Sequence, residues 1–556
     1  METTSHSPTQ EASRRALWLA GMAIFALCLW LRLDQFCAQL VTDDEWHAVH
    51  QLILHPPASF FFSFGAADYS IPLALLYWCE AQLFGLSELA MRWPMMLAGL
   101  ATVVLFPLWA LRRYGWRTAL VFALLLAISP MLINYSRFAR PYALTLLLGY
   151  LVHAAFWRFW AREGKLAVTG SFYVLGSALC AWLHLIALPF VIAPLLTAAP
   201  AAILAWWRGD RSQFDRLLML GLATATLTAV LILPPLLGDA AALLGKTSVH
   251  APNIDTFKGI WHMWLGSPSK PAVLFCLVLA IAGFPAVFRQ GGMLVRSASV
   301  GLGLTLVLIL LSGPAWIQNP LTLARYLLPA IALLLLAVAI GAVRLAELAA
   351  GRLGAGATTL VMMLPVAALL VHTPLAQTMR QPNSNTLHSE FQTDYRTHRE
   401  GVAEFMRRAI PLSPWWQTLH GFDDGLLVAV APYHFVSYLW DAPRWEEMSG
   451  HRVLPGALTG LCVDWREGEV PRDARFRLRN AVHLADADAL TAKGIAYVVW
   501  QKPFTVVLDD QRAEIGTDTA QCLDSLRARF GNASYEDDKI VVFSLKQTVA
   551  AGAHAQ

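Results

Sequence analysis

Charge is what this sequence has least of. Only 14% of its 556 residues are Asp, Glu, Lys or Arg, against about 25% in an ordinary soluble domain. That shortage excludes a chain solvated on all sides, and it is matched by 56% hydrophobic residues and a mean hydropathy of +0.49. The net charge of +4 is too small a basic excess to argue for a nucleic-acid partner. No internal repeat is evident, and no Gly-rich loop of the kind that cradles phosphates. The polar start "METTSHSPTQEASRR" leads into a long apolar segment without a small-residue cleavage site, which reads as a retained anchor.

What the chain has instead is a series of apolar runs, many of them long enough to cross a hydrocarbon core of about 30 Å. They predict some eleven spans: 16–33, 89–111, 117–135, 141–157, 168–186, 188–207, 216–236, 271–288, 297–314, 325–343 and 356–373. The run 71–86 is read as lying along the interface. With that choice Arg14/Arg15, Arg112/Arg113/Arg117, Arg158/Arg162/Lys165, Arg208/Arg211/Arg216, Arg289/Arg296 and Arg344/Arg352 all fall on one side. Positive-inside bias makes that side the cytoplasm. The N-terminus is then cytoplasmic, and the first outer loop 34–88 and everything after residue 374 are periplasmic. The 21 Trp residues suit interfacial belts.

Beyond Pro374 and the linker "QPNSN" the composition turns polar. "GLLVAVA" (425–431), "IAYVVW" (495–500) and "KIVVFSL" (539–545) read as buried strands separated by helical segments. The fold expected is mainly α: a polytopic helical membrane domain over 1–373 and a small soluble α/β periplasmic domain over 374–556. Seven cysteines divide by location. Cys28, Cys180 and Cys276 fall in spans as packing residues, while Cys37 with Cys79, and Cys462 with Cys522, are compatible with outer-face disulfides.

Chemistry is expected where polar groups gather at the outer surface. "LVTDDEWHAVHQLI" (40–53) sets Asp43, Asp44 and Glu45 just after the first span. A capping box from Thr42 to Glu45 accounts for two of these positions and leaves Asp43 and Asp44 unexplained. "NYSRFARPYAL" (134–144) places Arg137 and Arg140 at a second outer turn, and Arg325 in "LTLARYLLPA" stands at a third. A lone arginine there would be read as snorkelling to headgroups. Three near a set of acids point to a lipid-borne phosphate, which guanidinium groups grip bidentately. A carboxylate could then act as general base on an acceptor hydroxyl, and the cations could stabilise a departing phosphate. His47 and His50 lie beside the acids and could complete a metal site, although polar-face positions serve as well. The 237–270 loop, with Lys246, His250, Lys258, Trp261 and His262, reads equally as a lid or as an interfacial connector.

The ordered series Asp44-Glu45, "DYSIPLALLYWCEAQLFGLSELAMRWP" (68–94), "SPMLINYSRFARPYAL" (129–144) and "ARYLLPAIALLLLA" (324–337) resembles the bacterial protein-mannosyltransferase-like branch of the C-type membrane glycosyltransferases (GT-C), which includes aminoarabinose transferases of lipid A. The resemblance covers roughly the first 345 residues. It implies an inverting glycosyltransferase that moves a sugar from a polyprenyl-phosphate donor to a membrane lipid, glycan or protein acceptor at the periplasmic face of the bacterial inner membrane. It implies Asp44 as catalytic carboxylate, with Glu45 and Asp43 beside it, and Arg137, Arg140 and Arg325 on the donor phosphate. Asp68, Tyr69, Tyr142, Tyr326 and His262 are substrate-pocket candidates. Many relatives have His-Pro-Pro at Ser70-Ile71-Pro72 and a glutamate at Phe138. Without that second acid no cofactor or metal is expected to be required, and a divalent metal is the lesser expectation. A transporter or flippase of lipid-linked saccharides is the alternative. It calls for ionisable residues or broken helices at mid-membrane and for paired repeats. A receptor whose outer domain does the work would make the acid cluster a mere cap.

Overall fold

The structure is a computed structural model. It describes residues 8–33, 56–64, 70–83, 88–240, 251–314, 317–350, 354–371, 412–421, 426–431, 448–454, 458–459, 482–483, 487–492, 494–508, 511–515 and 520–545, with Phe36, Glu45, Ala48, Gln51 and Trp445. Two compact units form. One comprises Met1–Asp34, Ala58–Leu73 and Arg92–Met379; the other comprises Gln35–Pro57, Ala74–Met91 and Arg380–Gln556.

The described helices of the first part of the chain are α1 (Pro8–Leu33), α2 (Ile71–Leu83), α3 (Glu88–Ile128), α4 (Pro130–Ser136), α5 (Tyr142–Trp160), α6 (Leu166–Leu183), α7 (Leu188–Trp207), α8 (Ser212–Gly238), α9 (Ile254–Leu265), α10 (Lys270–Ser312), α11 (Pro320–Tyr326), α12 (Pro329–Ala350) and α13 (Ala355–Val371). Among the described residues, eight helices are long and apolar enough to cross a membrane. Two of the eight are double. α3 is broken at Gly115 (φ 83°, ψ 171°) and α10 at Gly292 (φ 66°, ψ −154°), both within the expected basic turns. Only a residue without Cβ enters these left-handed conformations cheaply. Each half of α10 is long enough to cross by itself, whereas the part of α3 after Gly115 runs only to Ile128 and is followed by α4. α2 has 13 residues, a rise of about 20 Å, too short to span.

Two expected spans are interrupted. The 117–135 run stops at Ile128 and restarts as α4, because Pro130 has no N–H to continue the helix and Ser129, held extended, caps the new one through Leu132 N. The 325–343 run likewise splits into α11 and α12 on either side of Leu327–Leu328, where Pro329 opens the second helix.

Packing in the first unit relies on small residues. A Cβ on Gly283 of α10 would lie 1.9 Å from the Ala337 carbonyl oxygen, and one on Gly341 of α12 would lie 2.0 Å from that of Leu279. The two helices therefore touch backbone to backbone, the usual contact where lipid replaces the hydrophobic drive between helices. Proline-freed carbonyls are met by side chains. Pro194 leaves the Phe190 carbonyl without its helical donor, and His153 Nε2 lies 2.8 Å from that oxygen, while His153 Nδ1 is 2.8 Å from Ser297 Oγ.

In the second unit β1 (Leu427–Ala431), β2 (Arg452–Leu454), β5 (Ile495–Gln501), β8 (Tyr535–Glu536) and β9 (Ile540–Ser544) form a sheet of order β2-β1-β5-β9-β8. β1 pairs in parallel with β2 and β5, and β9 runs antiparallel to β5 and β8. Its three central strands are the three expected from the apolar runs. The pairs β3 (Leu458–Thr459) with β4 (Val482–His483), and β6 (Phe504–Leu508) with β7 (Gln511–Ile515), stand apart from it. Trp415, Trp416, Trp445, Val428, Val499 and Val542 belong to its core. The chain is thus a helical membrane domain joined to a small α/β unit. Cys79 is exposed with a free thiol, which removes the Cys37–Cys79 bridge; Cys28, Cys180 and Cys276 are buried free thiols, as expected for packing residues. Cys37 and Cys462 lie outside the described residues.

Candidate functional site

The starts of α5, α7 and α12 and the end of α11 come together beside α10. There a cleft of about 400 Å³ is lined by Tyr142 and Thr145 of α5, His184, Ile186 and Ala187 before α7, Phe190 of α7, Leu302 and Thr305 of α10, and Arg325, Tyr326 and Pro329. Phe190 is wedged between Gly149 and Gly301, where added Cβ atoms would fall 2.8 and 2.9 Å from its ring.

Arg325 is the cleft's charged group. Its guanidinium carbon lies 5.7 Å from the Tyr142 ring centroid and 5.5 Å from that of Tyr326, cation–π distances for both. The His184 ring completes the wall, 5.2 Å from Tyr142 and 5.6 Å from Tyr326. Arg325 is placed by its short helix. Asn319 caps α11 through Leu321 N, Pro320 opens it, and Trp264 of α9 donates its indole N–H to the Ala324 carbonyl at 3.1 Å. α9 in turn starts from a capping box of Asn253 and Thr256, and Thr256 reaches the Gln318 carbonyl at 2.8 Å.

A second arginine group organises the neighbouring turn. Arg32, fully buried at the end of α1, donates to the Ala127 carbonyl at 3.0 Å, the Leu126 carbonyl at 3.3 Å and Ser136 Oγ at 3.3 Å. The Leu126 oxygen is free because Pro130 cannot donate to it. Arg32 therefore closes the C-terminus of α3, where a positive charge also meets the helix dipole. Arg137 returns the contact, with Nη1 3.4 Å from the Leu31 carbonyl of α1.

Arg325, Tyr142 and Tyr326 are brought together as one cleft. Arg137 and Arg140 lie in the adjoining turn, both buried rather than at the surface. His262 does not line the cleft. It is buried at the end of α9, its Nδ1 2.8 Å from the Ser267 carbonyl, where it locks the turn at Gly266. Glu45 is fully buried and belongs to the second unit. Asp43, Asp44, His47, His50, Asp68, Tyr69, Lys246 and His250 lie outside the described residues. Among the described residues no group of three or more His, Cys, Asp or Glu could hold a metal ion. Sequence reasoning missed His184, Thr305 and Arg32. The signal for His184 and Arg32 was an ionisable residue within or at the end of an apolar run, which is costly unless employed; Thr305 carried none.

No protein-family model and no curated protein matches the chain. Among solved structures it is similar to ArnT from Cupriavidus metallidurans in the apo state (13% identity, 97% of this chain and 98% of that one, TM-score 0.42). ArnT bound to undecaprenyl phosphate gives 14% identity, the same coverage and a TM-score of 0.43. The archaeal oligosaccharyltransferase AglB from Archaeoglobus fulgidus, in complex with an inhibitory peptide and a dolichol-phosphate, gives 11% identity over 88% of this chain and 70% of that one, with a TM-score of 0.37.

Proposed function

We propose that the protein is a membrane glycosyltransferase that takes a sugar from a polyprenyl-phosphate donor and passes it, with inversion, to an acceptor at the periplasmic face. The observation that supports this best is Arg325. An arginine within cation–π distance of two tyrosine rings, at the end of a membrane bundle and lining a cleft, suits a phosphate that reaches the protein on a lipid.

In this reading Arg325 binds the donor phosphate, and Arg140 and Arg137 add positive potential from the adjoining turn. The carboxylate of Asp44 takes the proton of the acceptor hydroxyl. The acceptor oxygen bonds to the anomeric carbon as the bond from that carbon to the phosphate oxygen breaks. The electron pair leaves with the phosphate, whose growing charge the guanidinium groups stabilise. Glu45 and Asp43 flank the base, and Asp68, Tyr69 and Tyr326 serve the substrate pocket. No metal or other cofactor is required, and the acceptor is a membrane lipid, a glycan or a protein. The N-terminus is cytoplasmic, residues 1–373 form the catalytic membrane domain, and residues 374–556 form the periplasmic domain.

A transporter would want ionisable groups exposed to a path at mid-membrane. The buried histidine of α5, His153, instead faces a proline-freed carbonyl and Ser297, a structural use. Asp44→Asn tests the assignment: transfer should be lost while the polyprenyl-phosphate donor still binds. Transfer at the parent rate would remove Asp44 as the base.

A further inference from the structure

The cleft beside Arg325 contains two hydroxyls that no described residue uses. Tyr142 and Thr305 are each 3% exposed, both line the cleft, and neither Tyr142 Oη nor Thr305 Oγ1 has a hydrogen-bond partner among the described residues. A threonine hydroxyl in a helix can return to a carbonyl three or four residues back. Thr102, Thr145 and Thr197 do so, at 2.8, 3.1 and 2.7 Å. Thr145 lines the same cleft and is satisfied; Thr305, across from it on α10, is not. Thr224 and Thr228 of α8 are also unpaired, but they do not line the cleft.

Buried hydroxyls left unpaired are costly, so a site that keeps two of them beside a cavity is arranged for a ligand that pairs with them. An isoprenoid tail has no hydrogen-bonding group and would leave both unsatisfied. A sugar ring carries several hydroxyls, and its C–H faces suit the aromatic walls of Tyr142, His184 and Tyr326. We infer that Tyr142 and Thr305 bind hydroxyl groups of the donor's sugar, so that the cleft takes the saccharide head and not the lipid tail and these two side chains help set which sugar is accepted. The inference rests on the reading of Arg325 as the phosphate site and adds the saccharide to it.

The test compares bare decaprenyl phosphate with a panel of decaprenyl-phosphate pentoses and hexoses, bound to the full-length protein in nanodiscs. In the parent, one or more glycosylated lipids should bind more tightly than the bare lipid. Thr305→Val and Tyr142→Phe should each weaken the tightest glycosylated lipid about tenfold, as expected when a site built to bond a hydroxyl loses one partner. Bare decaprenyl phosphate should bind Thr305→Val as it binds the parent, and Thr305→Ser should restore the sugar preference. Equal weakening of bare and glycosylated lipids, no weakening of either, or a parent with no preference for any glycosylated lipid would each overturn the inference. Arg325→Gln separates the two readings. If it leaves bare decaprenyl phosphate bound as in the parent, the phosphate assignment fails; if it releases the bare lipid while Thr305→Val leaves the sugar preference intact, only the saccharide assignment fails.

Discussion

The guanidinium of Arg325 stands 5.7 Å over the Tyr142 ring, so the cleft's cation rests on an aromatic face that also lines the cavity. A planar guanidinium can stack there and still present N–H groups to a phosphate, whereas an ammonium can do neither in the same way. Arg325→Lys should therefore keep the charge and lose most of the affinity for polyprenyl phosphate, on the order of 10- to 100-fold, with Arg325→Gln losing at least as much. Isothermal or fluorescence titration with a short-chain lipid phosphate reads this directly. A lysine variant that binds like the parent would show that only net charge matters at this position.

Arg32 should matter to the fold rather than to binding. Arg32→Met removes donors from the Leu126 and Ala127 carbonyls and from Ser136, leaving buried acceptors unpaired at about 1–3 kcal/mol each. The melting temperature in detergent should fall, and Arg32→Lys should recover only part of it, because one ammonium cannot span three acceptors. An unchanged melting temperature for Arg32→Met would mean that the end of α3 is closed in some other way.

The contact between α10 and α12 gives a steric prediction. Gly341→Val and Gly283→Val place atoms on backbone oxygens, which cannot move aside as a flexible side chain can. Both should reduce the yield of monodisperse protein sharply. Gly303→Ala, on the same α10 with nothing within 4 Å of an added Cβ, should be neutral or slightly stabilising. Equal behaviour of all three in size-exclusion profiles would contradict the backbone contact.

Asp537 governs the acid stability of the α/β unit. Burial pushes its carboxyl up, but hydrogen bonds from Ser413, the Ile540 and Lys539 amides and Tyr535 outweigh this and hold it below its ordinary value of 3.8. The bonds are 2.6 Å from Ser413, 2.8 Å from each amide and 3.1 Å from Tyr535. A depressed folded value means that its contribution is complete well above pH 3.8 and fades as pH falls through the lower folded value. Hydrogen exchange of the β8–β9 turn should therefore quicken as pH drops through that acid range, after correction for the intrinsic rate. Asp537→Asn should exchange faster at neutral pH and show less of the acid response. A variant with the parent's acid response would assign the effect to other carboxylates.

Legibility in the sequence followed the length of the signal. Long apolar runs and the basic turns between them made the crossings readable, including the double helices divided at Gly115 and Gly292. Three short apolar runs marked β1, β5 and β9. Within the site, Arg325 and the tyrosines at 142 and 326 stood out as polar or aromatic residues at the ends of spans. Thr305 did not, because one threonine in "GLGLTLVLIL" carries no pattern, and its meaning comes only from what faces it across α5 and α7. Arg137 shows the converse. It stood out as a cation in an outer turn, yet its side chain reaches back to the Leu31 carbonyl, a partner more than a hundred residues earlier.

The sequence by itself determined the solvent of each segment, since apolar runs of membrane length and a polar tail leave little choice about which part lies in lipid. It also determined where helices break, because glycine and proline act on their own backbone. Tertiary structure alone decided which carbonyl each buried arginine closes, which helices touch through glycine, and which two hydroxyls are left over beside Arg325. Those outcomes depend on distances between residues far apart in the chain, and local preference does not encode distance.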